Sequence, residues 1–294
     1  VRAVRHLRSV VFDKRIALLL LLGPFAVFGA VMVNTKDRAP PQILALAVGG
    51  DGTTLLEMRA DKLYRRAAAD GAWAQVPLPR AVAPSRITAI AAVAKSSDVL
   101  YLAGQGLGVW RSDNGGRDWE ARNDGLPSRE AIAVTAHADR PETVYAYLAG
   151  NGIFRSEDAG KHWKQMDGGP RAALTQFVHS NMPGSMQSGW LFAATRTGVA
   201  RSMDCFCGWY DAGGLNAKVH AVAYAPNQPQ RVYAATEKGL FVSVNGGEEW
   251  RRAQAPAGSV TALAVARSGT VYAASGSKLF RSTDGGQTWE RVDA

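Results

Sequence analysis

Residues Ser282–Trp289 read STDGGQTW, and the fold follows from how often that stretch comes back. Four earlier segments align with it without gaps: SDNGGRDW at Ser112–Trp119, SEDAGKHW at Ser156–Trp163, SMDCFCGW at Ser202–Trp209 and SVNGGEEW at Ser243–Trp250. Each carries a serine and then an acid or amide two residues later (Asn114, Asp158, Asp204, Asn245, Asp284). Each ends in a tryptophan seven residues after the serine. All but the Ser202 segment have glycine four residues after the serine: Gly116, Gly160, Gly247 and Gly286. A decayed sixth copy ends at Trp73, with Arg66 and Ala68 in place of the serine and the acid. Successive tryptophans lie 39 to 46 residues apart, a period that marks a repeat architecture.

Each unit contains the same short apolar runs. In the fifth they are VHAVAYA (219–225), RVYAAT (231–236), GLFVSV (239–244) and EEWRRA (248–253), all of strand length and bounded by Gly, Pro or Asn. Four short strands in a unit of about 42 residues predict a β-propeller blade. Residues 43–294 accommodate six blades, so the expected fold is an all-β six-bladed propeller following one N-terminal transmembrane helix. The repeated octapeptide suits a turn. The carboxylate or amide accepts backbone N–H bonds, glycine allows positive φ, and the indole packs between sheets with its N–H free to find an acceptor. A structural staple is therefore expected of Ser112, Ser156, Ser202, Ser243 and Ser282, with the acid or amide and the tryptophan of each segment.

The octapeptide resembles the Asp-box, or bacterial neuraminidase repeat, and Ser282–Trp289 fits that pattern in full. Asp-box propellers include sialidases, sortilin-type receptors and the photosystem II assembly and stability factors. The resemblance implies that the octapeptide is the turn between the third and fourth strands of a blade. A sialidase would need converging arginines and a Phe/Tyr-Arg-Ile-Pro run. The nearest counterpart, Ser85-Arg86-Ile87-Thr88, lacks both the aromatic residue and the proline. The assembly-factor family shares the single propeller, its size and its membrane tether; its members usually have seven blades, against six counted here. What this resemblance implies is a protein without catalytic residues, cofactor or metal, serving as an accessory, stabilising or assembly subunit of a membrane complex. A photosynthetic reaction centre is the favoured setting. The alternatives are a respiratory-complex subunit and a glycan-binding or sialidase-like protein.

The chain has 294 residues with 47% apolar and 20% charged, which excludes disorder, and two cysteines exclude a disulfide-framework scaffold. Its net charge of +9 is concentrated early, since Arg2, Arg5, Arg8, Lys14 and Arg15 stand against Asp13 alone in residues 1–15. No nucleic-acid partner is expected. Residues 16–33 (IALLLLLGPFAVFGAVMV) carry no charge and are just long enough to cross a bilayer core. A cleaved signal peptide has the same outline, but the run is long and the small residues that mark cleavage are poorly placed. The expectation is a retained single span in a bacterial inner or photosynthetic membrane, residues 1–15 cytoplasmic, with a linker at 34–42 and the propeller periplasmic. A linker entering the innermost strand arrives on the face opposite the octapeptides, so these are expected to point away from the bilayer or onto a partner.

Two sets of residues stand out for partner binding. Arg111, Arg155, Arg201 and Arg281 precede the repeated serine, and rotation of the blades would place them in a ring suited to an acidic surface. The fourth unit carries Cys205 and Cys207 in its octapeptide and the long loop HSNMPGSMQSG (179–189), with His179, Met182 and Met186. Loops on rigid scaffolds concentrate function. The cysteines stand too close in sequence for an easy disulfide and are too few for zinc.

Overall fold

The computed structural model describes residues 41–292, apart from 61, 68–70 and 187. The basic arm 1–15, the apolar segment 16–33 and residues 34–40 of the linker lie outside the described residues. Among those described, no helix is long and apolar enough to cross a membrane.

Six four-stranded antiparallel sheets follow one another along the chain: 43–76, 87–121, 131–167, 174–211, 219–252 and 260–291. In each, the strands are paired in sequence order from the axis outward. Blade 5 runs Val219–Ala225, Gln228–Thr236, Gly239–Ser243 and Arg251–Arg252. The six innermost strands neighbour one another in a closed circle, with Ile43–Val48 beside Val260–Val265. This is the six-bladed propeller that the repeat predicts.

Burial explains the residue choices. The second strand of a blade is covered on both faces, and Leu100–Gly104, Val144–Leu148 and Val271–Ser275 are buried throughout, so they read as continuous apolar runs without alternation. Near the axis the sheets converge, and alanines such as Ala89, Ala91, Ala221, Ala223, Ala262 and Ala264 fill the narrow space. Larger side chains fill the wedges further out. Tyr233 and Leu240 of blade 5, for instance, pack against Leu263 and Val271 of blade 6.

Every innermost strand shifts register one residue after its start, bypassing Leu44, Thr88, Ile132, Thr175, His220 and Thr261 in the ladder. Such bulges sharpen local twist and re-aim the extra residue. Two of the threonines use this to bond the next blade. Thr88 Oγ1 donates to the Ile132 carbonyl at 2.8 Å and Thr261 Oγ1 to the Ile43 carbonyl at 3.3 Å, the latter across the junction of last blade and first.

The four regular octapeptides share one geometry. The serine Oγ accepts the N–H of the glycine four residues on, at 2.8 Å in each of Gly116, Gly160, Gly247 and Gly286. It donates to the side-chain oxygen of Asn114, Asp158, Asn245 or Asp284. That oxygen accepts a second backbone N–H, from Asp118, His162, Glu249 or Thr288, at 2.9–3.0 Å. Gly116 has φ +90°, and a Cβ there would sit 2.4 Å from Val76 of the preceding blade, so both conformation and space demand glycine.

The tryptophan that follows reaches back to the preceding blade. Its indole N–H donates to the carbonyls of Pro77, Arg122, Ala212 and Gln254 from Trp119, Trp163, Trp250 and Trp289, at 2.7–3.1 Å. Trp209 donates to Asp167 Oδ1 at 2.7 Å. Trp163 is the most completely covered of these, at 6% exposure. Trp163→Ala should lower unfolding free energy by about 3–5 kcal/mol through the lost apolar contact and the cavity left behind. Urea denaturation followed by circular dichroism measures it, and a loss below about 1 kcal/mol would contradict this role for the indole.

Candidate functional site

The four arginines that precede the repeated serine do not form an open basic ring. Each is half-buried and matched by a carboxylate: Arg111 by Asp113, Arg155 by Glu157 at 3.1 Å, Arg201 by Glu248 at 3.5 Å, and Arg281 by Glu290. Arg111 also donates to the Tyr101 hydroxyl, and Arg201 to the Gly246 carbonyl of the next blade at 2.7 Å. Asp113 and Glu157 come from the same turn, Glu248 from the turn of the next blade and Glu290 from the outermost strand of blade 6, so rotation repeats neutral pairs and not bare charges. The four side chains pack along the blade edges in these pairs.

The fourth blade departs from the common turn. Ser202 Oγ donates to the Met203 carbonyl and makes no bond to Asp204, so the staple expected of this pair is absent. Asp204 turns inward and is 1% exposed. It accepts the Ser188 N–H at 3.0 Å and the Ser188 hydroxyl, and lies 3.6 Å from His179 Nε2. Ser188 in turn accepts from His137 Nε2 at 2.6 Å. The two imidazoles stack with centroids 3.9 Å apart, and Tyr145 stacks on His179 at 5.5 Å. Losing the glycine of the common turn, here replaced by Phe206, frees the acid to anchor the 181–189 loop instead.

Cys205 and Cys207 are joined in a disulfide that clasps Phe206 at φ +56°, which corrects the expectation from their close spacing. Phe206 packs tilted against Tyr145 at 6.1 Å. The loop residues separate. His179 and Met182 are buried, at 1% and 6% exposure, so neither can meet a partner directly. Met186 is 76% exposed, with its sulfur 4.0 Å from Cys207 Sγ. Pro183 and Val244, the latter 51% exposed, face a surface concavity of about 350 Å³ shared with Pro229 and Arg231 of blade 5. The exposed part of the fourth-blade insert is therefore Met186, Cys207 and the flank of this concavity.

His137, His179 and Asp204 bring one nitrogen or oxygen each within 4.8 Å of one another, close enough to test for a metal. The tautomers decide against it. His137 Nδ1 accepts the N–H groups of Asp139 and Arg140, and His179 Nδ1 accepts that of Ala138, all at 3.0–3.1 Å. Both rings therefore keep their proton on Nε2, the atom that would have to offer a lone pair to the cation. The same tautomer prevents His137 from acting as a base toward Ser188. The cluster is a chain of donors ending on one buried carboxylate.

Burial first, then the adjacent His179 ring and Arg140, push the His137 pKa down to about 3, and burial depresses His179 as well. Burial opposes charge on Asp204, but His179 and Ser188 outweigh it and hold its pKa at about 2. An unfolded histidine titrates near pH 6.5, so below that value the unfolded chain binds protons that the folded chain refuses. Stability should therefore fall as pH drops from about 6.5 toward 3, ahead of any loss from Asp204. Urea midpoints should decline steadily from pH 7 to about 5, and His137→Gln should flatten the slope. A level profile in the unsubstituted protein would show that the two rings are not held neutral.

An axial cavity of about 250 Å³ is lined by the innermost strands of all six blades. Its wall is mostly Ala, Val, Leu, Ile and Thr, with Gln176, His220, Tyr224 and the stacked pair His137 and His179, and Arg267 at the end nearer the octapeptides. No Asp or Glu lines it among the described residues. A glycosidase places two carboxyl groups on either side of the scissile bond, and a sialic-acid site needs converging guanidinium groups. Neither arrangement occurs along this wall.

The family model for the BNR/Asp-box repeat matches residues 280–291. No curated protein matches significantly by sequence. Among solved structures, the GH74 enzyme of Niastella koreensis superposes with TM-score 0.61 at 16% identity, covering 86% of this chain and 46% of that one. The GH74 xyloglucanase of Xanthomonas campestris gives 0.57 at 19%, covering 84% and 45%. The chain thus spans about half the length of these hydrolases. YCF48 bound to a D1 peptide gives 0.56 at 17%, covering 87% of this chain and 83% of that one. At such identities the likeness is one of fold. The repeat match at 280–291, the four regular turns and the closed circle of sheets describe a six-bladed β-propeller with Asp-box turns, similar in fold to YCF48.

Proposed function

We propose that the protein is a non-enzymatic docking subunit, tethered by residues 16–33 to a bacterial inner or photosynthetic membrane with its propeller in the periplasm. It stabilises or assembles a membrane protein complex, with a photosynthetic reaction centre as the favoured setting. The observation that carries this reading is the fourth blade. A buried donor network there gives up the regular turn and fixes a loop whose tip, Met186 beside Cys207, stands in solvent next to the Pro183–Val244 concavity. A rigid, partly apolar protrusion on a closed scaffold suits contact with a partner's exposed segment. Two features add support. The axial cavity offers no carboxylate pair, and YCF48, a propeller of comparable length, was solved with a peptide bound.

The test is purification of the tagged full chain from native membranes in mild detergent. A multi-subunit membrane complex should co-migrate. Met186→Asp combined with Val244→Asp should weaken that association at least about tenfold while changing stability by no more than about 0.5 kcal/mol. Recovery as a lone monomer from membranes whose complexes stay intact would overturn the subunit reading. Glycoside hydrolysis abolished by a substitution in the axial cavity would overturn the non-enzymatic one.

A further inference from the structure

The geometry points to the face opposite the octapeptides as a docking surface for anionic lipid headgroups. This rests on the reading of residues 16–33 as a membrane span.

Connections between second and third strands, and those leading from one blade to the next, all emerge at one end of the propeller. That end is basic. Arg80 and Arg86 lie in the segment leaving blade 1, Arg129 in that leaving blade 2, Arg171 and Lys218 in those leaving blades 3 and 4, and Arg196 in the turn of blade 4. Lys62, Lys238 and Lys278 add a cation at blades 1, 5 and 6, and all of these side chains are exposed. The acids in the same segments, among the described residues, are Asp124, Glu130 and Glu237, with Asp211 beside the turn of blade 4, and Asp124 is turned toward His162 of the next blade. The opposite end has the reverse balance. Asp51, Asp98, Asp139, Glu142, Glu157 and Glu248 are exposed there, with further acids in every regular octapeptide, against Lys95, Arg117, Arg140, Lys161 and Arg267.

The polypeptide also arrives at the basic end. The Gln42 carbonyl accepts the Ala60 N–H at 3.1 Å and the Ile43 N–H donates to Gly276 at 2.9 Å, and Ala60 and Gly276 both belong to the basic-end turns. Nine residues, 34–42, separate this point from the apolar segment, a reach of at most about 30 Å. Cations spread over all six blades, without a groove to concentrate them, match a diffuse planar layer of negative charge better than one acidic protein segment. Attraction of this kind acts within about a Debye length, roughly 8 Å at physiological salt, so a short tether and a basic face reinforce each other.

The experiment reconstitutes the full chain into vesicles of phosphatidylcholine alone or of phosphatidylcholine with phosphatidylglycerol. Amine labelling of Lys62, Lys218, Lys238 and Lys278 is then compared by mass spectrometry with that of Lys95 and Lys161. In the anionic vesicles the first four should label at least about threefold more slowly, the reference pair should not change, and high salt should erase the difference. Replacing Arg80, Arg86, Arg129 and Arg171 with Glu should remove the protection while leaving the chain in the vesicles. Equal labelling in the two lipids, or protection that arises only when a protein complex is added, overturns the proposal. Failure to float with neutral vesicles refutes the span itself, and the labelling of chain mixed with anionic vesicles then still decides the face.

Discussion

One hydrogen bond, repeated around the ring, holds the architecture together: the indole N–H of each regular octapeptide tryptophan reaching a carbonyl at the end of the blade before it. A sheet with one face bare is not stable alone, and the wedge between two blades must be closed at its wide outer edge as well as near the axis. The alanines do the latter by being small. The indole does the former by combining a large apolar body with a single donor that must be satisfied when covered. Serine, acid or amide, and glycine are needed because only a tight and fully bonded turn presents the ring at the right height. The octapeptide is thus less a motif of chemistry than a joint between neighbouring sheets.

That joint was legible because it is local. Every group of it except the carbonyl that receives the indole lies within eight consecutive residues, so turn, strands and blade number could all be read from spacing. What was hidden depends on partners far apart in sequence. The register shifts at Thr88 and Thr261 need knowledge of which strand lies alongside. The neutralisation of Arg201 by Glu248 joins two blades. Asp204 looked like a fourth copy of a common acid, and its real partners, His179 and Ser188, come from the inner strand and loop of the same blade. Phe206 in place of glycine was the available signal. In the regular turns this position lies against the preceding blade, where a Cβ at Gly116 would sit 2.4 Å from Val76, so a phenylalanine there goes with a different turn and leaves the acid to other donors.

The fourth blade also shows how a scaffold acquires a distinctive surface without losing its frame. His137, Ser188 and Asp204 form a polar chain buried where other blades have only a turn, and each member has a donor or acceptor to answer it. Buried polar chains of this kind are costly when incomplete and restrict the structure to one arrangement when complete. The loop above is therefore held by groups that no partner touches, leaving Met186 and its surroundings free to vary.

All six sheets are built from consecutive strands, so among the described residues no strand from one end of the propeller sequence completes a sheet at the other. Circular closure relies on the apolar wedge between blades 1 and 6, where Ile43, Leu46 and Leu55 meet Tyr272 and Leu279, and on the bonds at Ile43. The indole N–H of Trp73 finds no acceptor at this junction among the described residues. Any load applied through the segment preceding Ile43 would reach the propeller at this same seam. Ile43 begins an innermost strand laddered to Leu55–Arg59 alone, so a pull along the axis would shear that ladder and not open it one bond at a time. A junction closed without a shared sheet is in this way loaded in the direction in which hydrogen-bonded strands resist best.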